Sequence, residues 1–240
     1  MKIVGTSDLH GYLVDLCDLN GQGQFDVLCI CGDIAPLKIQ SKMEESREWF
    51  TNDFEEWTLK VACDRVIFIA GNHDRFLEKL LKRHKYNAAE VQEELGWPEK
   101  LVFLHDSGYE YGGKTFYGTP WCPDLYQWAF FGDHDQLNER FSHIPRECDV
   151  LLTHSPGRMM FDTGTVLEHY SMEEFGSMEL TEAVMMRKIG LWLCGHVHSG
   201  NHDLNTFTDK NFACYNMKVA NVSLKNERYD PMYKLLRVEI

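Results

Sequence analysis

Short runs of apolar residues recur along the chain, and each ends in polar residues that suit chemistry better than packing. Continuous runs of this length are typical of buried parallel strands. The runs and the residues after them are 3–4 before Asp8 and His10, 27–30 before Asp33, 65–70 before Asn72, His73 and Asp74, 150–152 before His154, and 191–194 before His196 and His198. Because the carboxyl ends of parallel strands meet at one edge of a sheet, the pattern predicts a single site there.

Apolar residues at helical spacing predict the helices that connect these strands. Ser41 and Glu44 form a capping-box pattern, and apolar residues then repeat on one face from Met43 to Val61. We interpret this stripe as the face of a helix that packs against a sheet. Further helices are predicted over 12–19, 76–84, 88–95 and 178–189. Strands and helices that alternate in this way indicate an α/β fold.

A hairpin and further strands are predicted as well, two of which extend runs described above. Gly112 and Gly113 stand between alternating aromatic segments, which is the pattern of a two-residue hairpin. Because hairpin strands are antiparallel, the sheet arrangement is expected to be mixed. The additional strands are predicted over 2–6, 101–104, 149–153, 212–224 and 233–240.

The segment 118–132 has the composition of a loop but is rich in aromatic residues. Two interpretations stay open. Trp121, Tyr126 or Trp128 stacks on a base or sugar of a ligand, or these rings bury the loop against the domain. Of the three, Trp121 is the residue that we expect to contact a substrate.

Length and composition indicate one domain over residues 1–240. Hydrophobic residues make up 44% of the 240 positions and charged residues 25%, which is ordinary for a globular protein. The chain lacks long apolar runs and turns acidic too early for a signal peptide, so we expect a cytoplasmic protein without a membrane partner.

The eight cysteines show no dense framework, and Cys29 and Cys31 share one strand face, so free thiols are predicted.

The net charge limits which partners the protein is expected to bind. It is −13, from 24 basic and 37 acidic residues. Such a surface repels long polyanions, and no stripe of Lys or Arg marks a groove for a phosphate backbone, so a long nucleic acid is disfavoured. A small phosphate ester is compatible with this charge if two divalent cations near the site overcome the global field.

The polar residues after the strands are Asp, His and Asn, all hard or borderline donors, with no thiolate required among them. Two cations about 3.5 to 4 Å apart need a shared anion, which makes Asp33 the natural bridging carboxylate. Neighbouring glycines let backbones approach where bulkier residues would crowd the donors. The set therefore predicts two divalent metal ions, with Mn²⁺ expected and Fe, Ni, Co or Zn as alternatives.

In this order the motifs resemble those of the calcineurin-like metallophosphoesterases, over nearly the whole chain from Asp8 to His198. The resemblance implies a four-layer α/β/β/α sandwich of two mixed β-sheets flanked by helices. It also implies two metal positions, one formed by Asp8, His10, Asp33 and His198, the other by Asp33, Asn72, His154 and His196.

The same resemblance implies a mechanism. A metal-bridging hydroxide would attack phosphorus in line with the leaving group, and His73 would protonate the leaving-group oxygen as general acid. Asp74 would orient the ring of His73 and raise its basicity. The protein would then be a dinuclear metal-dependent phosphoesterase.

Three further stretches are similar to the MPPED-like branch of this superfamily, whose members hydrolyse phosphodiesters including cyclic nucleotides. They are Gly118-Thr119-Pro120-Trp121, Thr153-His154-Ser155-Pro156, and Asn221-Val222-Ser223 leading to Tyr229-Asp230-Pro231. A small, nucleotide-like phosphodiester is thus the implied substrate. Asp74 and Ser155-Pro156-Gly157 depart from the branch, which tends to have Glu and Gly-Pro-Pro there.

Arg158 is the one basic residue just beyond a predicted ligand, and it is expected either to clamp a phosphate or to be solvated. Two functions from other classes stay as alternatives. A metal-dependent nucleotide-binding or sensor protein would keep the site without turnover, and the presence of His73 argues against it. A metal-dependent nuclease would need a DNA-binding surface that the acidic composition does not supply.

Overall fold

The computed structural model describes residues 1–21, 23–123, 126–166, 171–199, 202–224 and 235–240. Its longer strands fall where the apolar runs predicted them. In chain order the strands are β1 Lys2–Thr6, β2 Val27–Cys31, β3 Arg65–Ile69, β4 Leu101–Phe103, β5 Ser107–Tyr111, β6 Lys114–Thr119, β7 Glu147–Thr153, β8 Thr163–Val166, β9 Ser171–Glu174, β10 Lys188–Cys194, β11 Asn205–Thr206, β12 Lys218–Asn221 and β13 Leu236–Glu239.

Two mixed sheets form the centre of the molecule. In the first, β1 to β4 are parallel and β13 pairs antiparallel with β1, in the order β13-β1-β2-β3-β4. In the second, β12, β10, β7 and β6 are parallel and the outer strands antiparallel, in the order β11-β12-β10-β7-β6-β5. The predicted hairpin is confirmed: Gly112 and Gly113 join β5 to β6 with φ of 56° and 74°, as a two-residue turn requires.

Helices occupy the connections between strands. They are α1 Leu16–Asn20, α2 Met43–Trp49, α3 Glu55–Lys60, α4 Arg75–Arg83, α5 Ala88–Leu95, α6 His134–Ser142 and α7 Met178–Met185, with a π-helical turn Phe50–Phe54 joining α2 to α3. The helix predicted from Met43 is therefore present but changes its hydrogen-bond pattern midway. Within the described ranges, no helix combines the length and the apolar character that crossing a bilayer requires.

Alternation along the strands divides the core into an inner and an outer layer. Val27, Cys29 and Cys31 pack in the cluster between the two sheets, whereas Leu28 and Ile30 pack in the cluster beneath the helices. Helices cover the outer faces, so the predicted four-layer α/β/β/α arrangement is confirmed. The prediction of free thiols is confirmed as well, because all eight cysteines are unpaired.

Several element boundaries differ from the prediction for local reasons. The capping box at Ser41 is wrong: Lys42 donates its N–H to Ile39 O, so a turn continues through Ser41 and α2 begins only afterwards. The helix predicted from residue 12 begins at Leu16, because the Asp15 carboxylate accepts the N–H of Cys17 and caps it there.

The two predicted C-terminal strands are shorter in the structure. Within 212–224 only β12 is a strand, because the residues before it form turns such as the one closed by Met217 N–H on Cys214 O. The last strand, β13, begins at Leu236, and 233–234 lie outside the described residues. Helix α6 and the short strands β8, β9 and β11 had no predicted counterpart.

Substitution of Phe68 tests how much packing beneath the first sheet contributes to the stability of the fold. It lies in β3, is fully buried, and its ring centroid is 5.4, 5.3 and 5.2 Å from those of Phe54, Trp97 and Phe103. We expect Phe68→Ala to lower the free energy of unfolding by about 3–5 kcal/mol in urea denaturation. The exposed Tyr126→Ala should change it by less than about 1 kcal/mol, and equal effects of the two changes would contradict this packing role.

Candidate metal centre

The carboxylate of Asp33 lies at the centre of the predicted ligands. It follows β2, and its Oδ2 is 3.8 Å from His10 Nε2, 3.4 Å from His154 Nε2 and 3.9 Å from His73 Nε2. These histidines come from the ends of β1, β7 and β3, so strands of both sheets converge on one oxygen. An oxygen in this position has the geometry that a bridging carboxylate needs.

One group of donors surrounds the end of β1. The ligand atoms of Asp8, His10 and His198 all lie within 4.8 Å of one another. His198 Nε2 is 3.2 Å from Asp8 Oδ1. The Nδ1 atom of His10 is buried and has no hydrogen-bond partner among the described residues. The other ring nitrogen of His10, Nε2, is the one that faces Asp33, and a carboxylate with two imidazoles at this spacing suits a divalent metal ion.

A second group lies on the other side of Asp33. His154 Nε2 is 2.9 Å from Asn72 Oδ1, and its Nδ1–H donates to Cys31 O at 2.7 Å, so the ring is fixed with Nε2 towards the site. The ring of His196 stands 5.2 Å from that of His154, centroid to centroid. The donor atoms of Asp8, Asp33 and His154 are also within 4.8 Å of one another, so the two groups are contiguous.

The charges in this centre are unbalanced. Burial opposes ionisation of Asp8 and Asp33, yet the neighbouring histidines hold the pKa of both carboxyls well below the usual value. Burial acts most strongly and lowers the pKa of His154, but the charges of Asp33 and Asp8 and the hydrogen bonds to Asp33 and Cys31 O together outweigh burial and raise that pKa to about 9. Burial lowers the pKa of His196 to about 4. Two buried carboxylates need compensating positive charge, and divalent ions would supply it.

The backbone at the site is held in unusual conformations. Asp8, His10, Asp33 and His196 have φ of 56°, 44°, 51° and 71°, in the left-handed region that most residues avoid. Such residues persist where the surroundings hold them, and they cluster at ligand clamps. A Cβ at Gly71 would lie 2.3 Å from Asp33 Oδ1, so a glycine is needed there, as the sequence indicated.

Asp74 does not contact the ring of His73, so the ring-orienting role expected from the sequence does not fit the structure. Its buried carboxylate accepts the N–H groups of Ile34, Ala35 and Gly71 at 2.8 to 3.2 Å. Burial and the charge of Asp33 together raise its pKa to about 7. Asp74 therefore ties the loop after β2 to the loop after β3, because three backbone amides occupy its oxygens.

Gln40 takes the place that the sequence gave to Asp74. Its Oε1 is 3.0 Å from Nδ1 of His73. With this oxygen as acceptor, Nδ1 carries the proton and Nε2 faces Asp33. No sequence signal identifies Gln40, because it stands in a turn 33 positions before its partner.

Trp121 is buried and does not line the site. It is 6% exposed, its Nε1–H donates to the Asp106 carboxylate at 2.9 Å, and its ring packs near His105 and Phe130. The substrate contact expected at Trp121 is therefore wrong, and its ring buries the loop. Trp128 in the same loop is 37% exposed, and its ring centroid is 4.3 Å from that of His73.

Arg158 is engaged by acidic residues instead of facing the donors. Its guanidinium pairs with the carboxylate of Glu174, and its Nε lies 3.9 Å from Asp162 Oδ2. Its Nη1 also donates to Glu174 O at 3.2 Å. These contacts neutralise the charge that a phosphate clamp would use, so the structure does not support the clamp, whereas a side chain 35% exposed is compatible with the solvated alternative.

Asn221, from one of the stretches quoted above, supports the last ligand loop. Its Nδ2 donates to Val197 O at 2.8 Å, between His196 and His198. Its Oδ1 accepts the N–H of Ser223 at 2.9 Å. The continuation of that stretch at Tyr229-Asp230-Pro231 lies outside the described residues.

Comparison with known proteins identifies relatives of this chain. Human "Metallophosphoesterase domain-containing protein 1" is 30% identical over 193 residues, covering 73% of this chain and 55% of that protein. "UPF0046 protein T07D4.2" of Caenorhabditis elegans is 29% identical over 227 residues, covering 84% of this chain and 53% of that protein. The chain thus spans about half the length of these relatives.

A crystal structure of a Staphylococcus aureus protein, described as a candidate 5′-nucleotidase in complex with alpha-ketoglutarate, overlaps 92% of this chain and 48% of its own. The TM-score is 0.44 and the identity 15%. The sequence model of the calcineurin-like phosphoesterases matches residues 1–200. This protein therefore belongs to the calcineurin-like phosphoesterase family.

Proposed function

We propose that this protein is a dinuclear metal-dependent phosphodiesterase that hydrolyses a small nucleotide-like diester, such as a cyclic nucleotide. The observation that carries the proposal is the position of Asp33 Oδ2, within 3.9 Å of Nε2 of His10, His73 and His154. A bridging carboxylate, donors on both sides and a separate histidine facing the same point are the parts that phosphoryl transfer needs.

The donor set fits two divalent ions. Asp8, His10 and His198 would hold one with Asp33, and Asn72, His154 and His196 would hold the other with Asp33. When bound, the ions would supply a nucleophile at neutral pH and neutralise charge on the phosphoryl oxygens. Mn²⁺ suits these oxygen and imidazole donors, as do Fe, Co, Ni and Zn.

His73 has the position of a proton donor to the leaving group. Its backbone N–H donates to Asp33 Oδ1 at 2.7 Å, which fixes the residue beside the metal positions. Gln40 holds Nδ1, so Nε2 points towards the centre and, when the ring is protonated, can give its proton to a departing oxygen. Burial lowers the pKa of His73, which makes the protonated ring a stronger acid. Gln40 acts as a positioning residue, because it touches the ring and lies behind it.

Trp128 forms one wall beside this proton donor and replaces Trp121 as the proposed substrate contact. The guanidinium carbon of Arg75 lies 5.1 Å from its ring centroid. The next residue, Ala129, donates its N–H to Asn72 O at 3.0 Å, which ties the loop to the centre. A half-exposed indole at this place offers a stacking face for a nucleobase or an aryl leaving group.

The charge of the chain favours a small substrate over a polymer. With a net charge of −13, the two ions would provide local attraction, and a long polyanion would meet repulsion beyond them. The eight free thiols suit a reducing compartment, so we propose a cytoplasmic site of action.

Turnover of a substrate panel tests the proposal. Protein stripped of metal and reloaded with Mn²⁺ is expected to hydrolyse a bis-aryl diester and cyclic nucleotides faster than an aryl monoester, and to leave oligonucleotides intact at physiological salt. Asp33→Asn should abolish turnover, because the shared carboxylate is lost. A cyclic nucleotide that binds without product would indicate a sensor protein, and cleaved oligonucleotides would indicate a nuclease.

Replacing the proton donor should separate chemistry from metal binding. We expect His73→Ala to lower kcat by about 10²–10⁴-fold on nucleotide diesters, whose leaving alcohols need a proton, and by less on nitrophenyl esters. Metal content by elemental analysis should stay unchanged. Gln40→Ala should lower kcat with little change in KM, and equal losses for both leaving groups would contradict the acid role.

Substitution of Trp128 tests the proposed substrate contact, and a neighbouring aromatic residue in the same loop provides the control. We expect Trp128→Leu to raise KM for nucleotide diesters by about 5-fold or more, because stacking of a base on an aromatic ring is worth about 1–3 kcal/mol. A diester with only alkyl groups should be affected little. Tyr126→Leu is the control, since Tyr126 is 78% exposed and packs on Phe131. Equal effects of the two variants would refute the contact.

A further inference from the structure

A cysteine thiol lies beside the donors of the second metal position. The Sγ of Cys122 and the ligand atoms of His154 and His196 all lie within 4.8 Å of one another. Cys122 follows Trp121 in the loop after β6 and is fully buried. The sequence motifs did not mark it, because the Asp, His and Asn donors form a complete set without it.

Cys122 is distinguished from most of the buried cysteines by its neighbours. Cys29 and Cys31 pack in the apolar layer between the sheets, and Cys148 packs in the layer beneath the helices. Cys122 belongs to neither layer. Its neighbours include the imidazoles of His154 and His196, the backbone of Ser155 and, further off, the carboxylates of the centre, so the thiol lies in a polar environment.

The backbone holds Cys122 firmly in this position. Its N–H donates to Phe130 O at 2.9 Å, and its carbonyl oxygen accepts the N–H of Gly132 at 3.2 Å. The preceding Trp121 is anchored on Asp106. The thiol itself makes a long contact of 3.6 Å to Pro120 O and also interacts with the backbone of Ser155. Because a thiol is a weak donor, giving up these contacts costs little.

We propose that Cys122 is a metal ligand, which gives its thiolate to the ion held by His154 and His196. On a tetrahedral zinc ion, a sulfur ligand and a nitrogen ligand stand about 3.6 Å apart, as the Zn–S and Zn–N bond lengths require. Donor atoms within 4.8 Å of one another reach this separation with a side-chain movement of about 1 Å. The thiol proton leaves to solvent when the ion binds.

A thiolate makes the two metal positions chemically different. The position of Asp8, His10 and His198 offers oxygen and imidazole only, whereas the position beside Cys122 gains a soft donor. Soft donors favour Zn²⁺, Fe²⁺ and Co²⁺ over Mn²⁺. The expectation of Mn²⁺ then applies to the first position, and a softer ion occupies the second.

Cobalt substitution tests this ligand directly. Metal-free protein titrated with Co²⁺ should develop a thiolate-to-cobalt charge-transfer band in the near ultraviolet, together with the visible bands of bound Co²⁺. The charge-transfer band should disappear in Cys122→Ser and persist in Cys148→Ser, a buried cysteine at the far end of β7. Visible bands without the charge-transfer band in the unmodified protein, or a band that survives Cys122→Ser, would overturn the proposal.

Metal affinity provides a second readout. Cys122→Ser should weaken Zn²⁺ binding by about 10-fold or more, since even the partners of metal ligands are worth about 10–100-fold in affinity. Mn²⁺ binding should change less. Equal weakening of both ions would indicate a packing role only, and would overturn the assignment.

Zinc X-ray absorption of the unmodified protein decides the question if Cys122→Ser does not fold. A sulfur scatterer at about 2.3 Å is expected, and its absence at full zinc loading would overturn the ligand. The inference rests on the proposed metal centre but not on turnover. A protein that binds zinc through sulfur and hydrolyses nothing would keep the ligand and refute the phosphodiesterase, so the two failures are distinguishable.

Discussion

The burial of the Asp33 carboxylate is the constraint on which the rest of the structure depends. An ionised carboxylate at 1% exposure is tolerated only when positive or polar groups surround it closely. Three imidazole nitrogens within 3.9 Å of its Oδ2 meet that need, and they come from strands of both sheets. Holding them there forces the loops together. The left-handed backbone at Asp8, His10 and His196, and the glycine at position 71, follow from this crowding.

Side chains that do not contact a substrate hold the donor loops in place by hydrogen bonds. Asp74 joins the loops after β2 and β3 through three backbone amides, and Asn221 holds the loop between the last two histidines. Gln40 does the same for the His73 ring. The donors are thus placed by hydrogen bonds to main chain and side chain, and the apolar layers only bring the strand ends into register.

The sequence predicted the fold and the position of the donors because both depend on local signals. In this chain, apolar runs followed within a few residues by Asp, Asn or His predict strand ends, and two mixed sheets bring such ends together. Side-chain contacts across the chain carry no such signal. Whether Trp121 or Trp128 faces the site depends on which way one loop folds, and Gln40 meets His73 only after a turn has formed. Arg158 looked like a free cation because Glu174 is distant along the chain.

The donors come from the ends of β1, β2, β3, β7 and β10, so ions bound there would fasten five strands of two sheets at a single edge. Among the described residues, the opposite edge has no comparable cluster of metal donors. The free energy of unfolding then becomes a function of metal concentration, because an ion that binds only the folded state stabilises it by RT ln(1 + c/Kd), where c is the free metal concentration. Without metal, repulsion between the buried carboxylates of Asp8 and Asp33 acts to open the same edge. The metal centre would then hold the two sheets together at this edge as well as carry out the reaction.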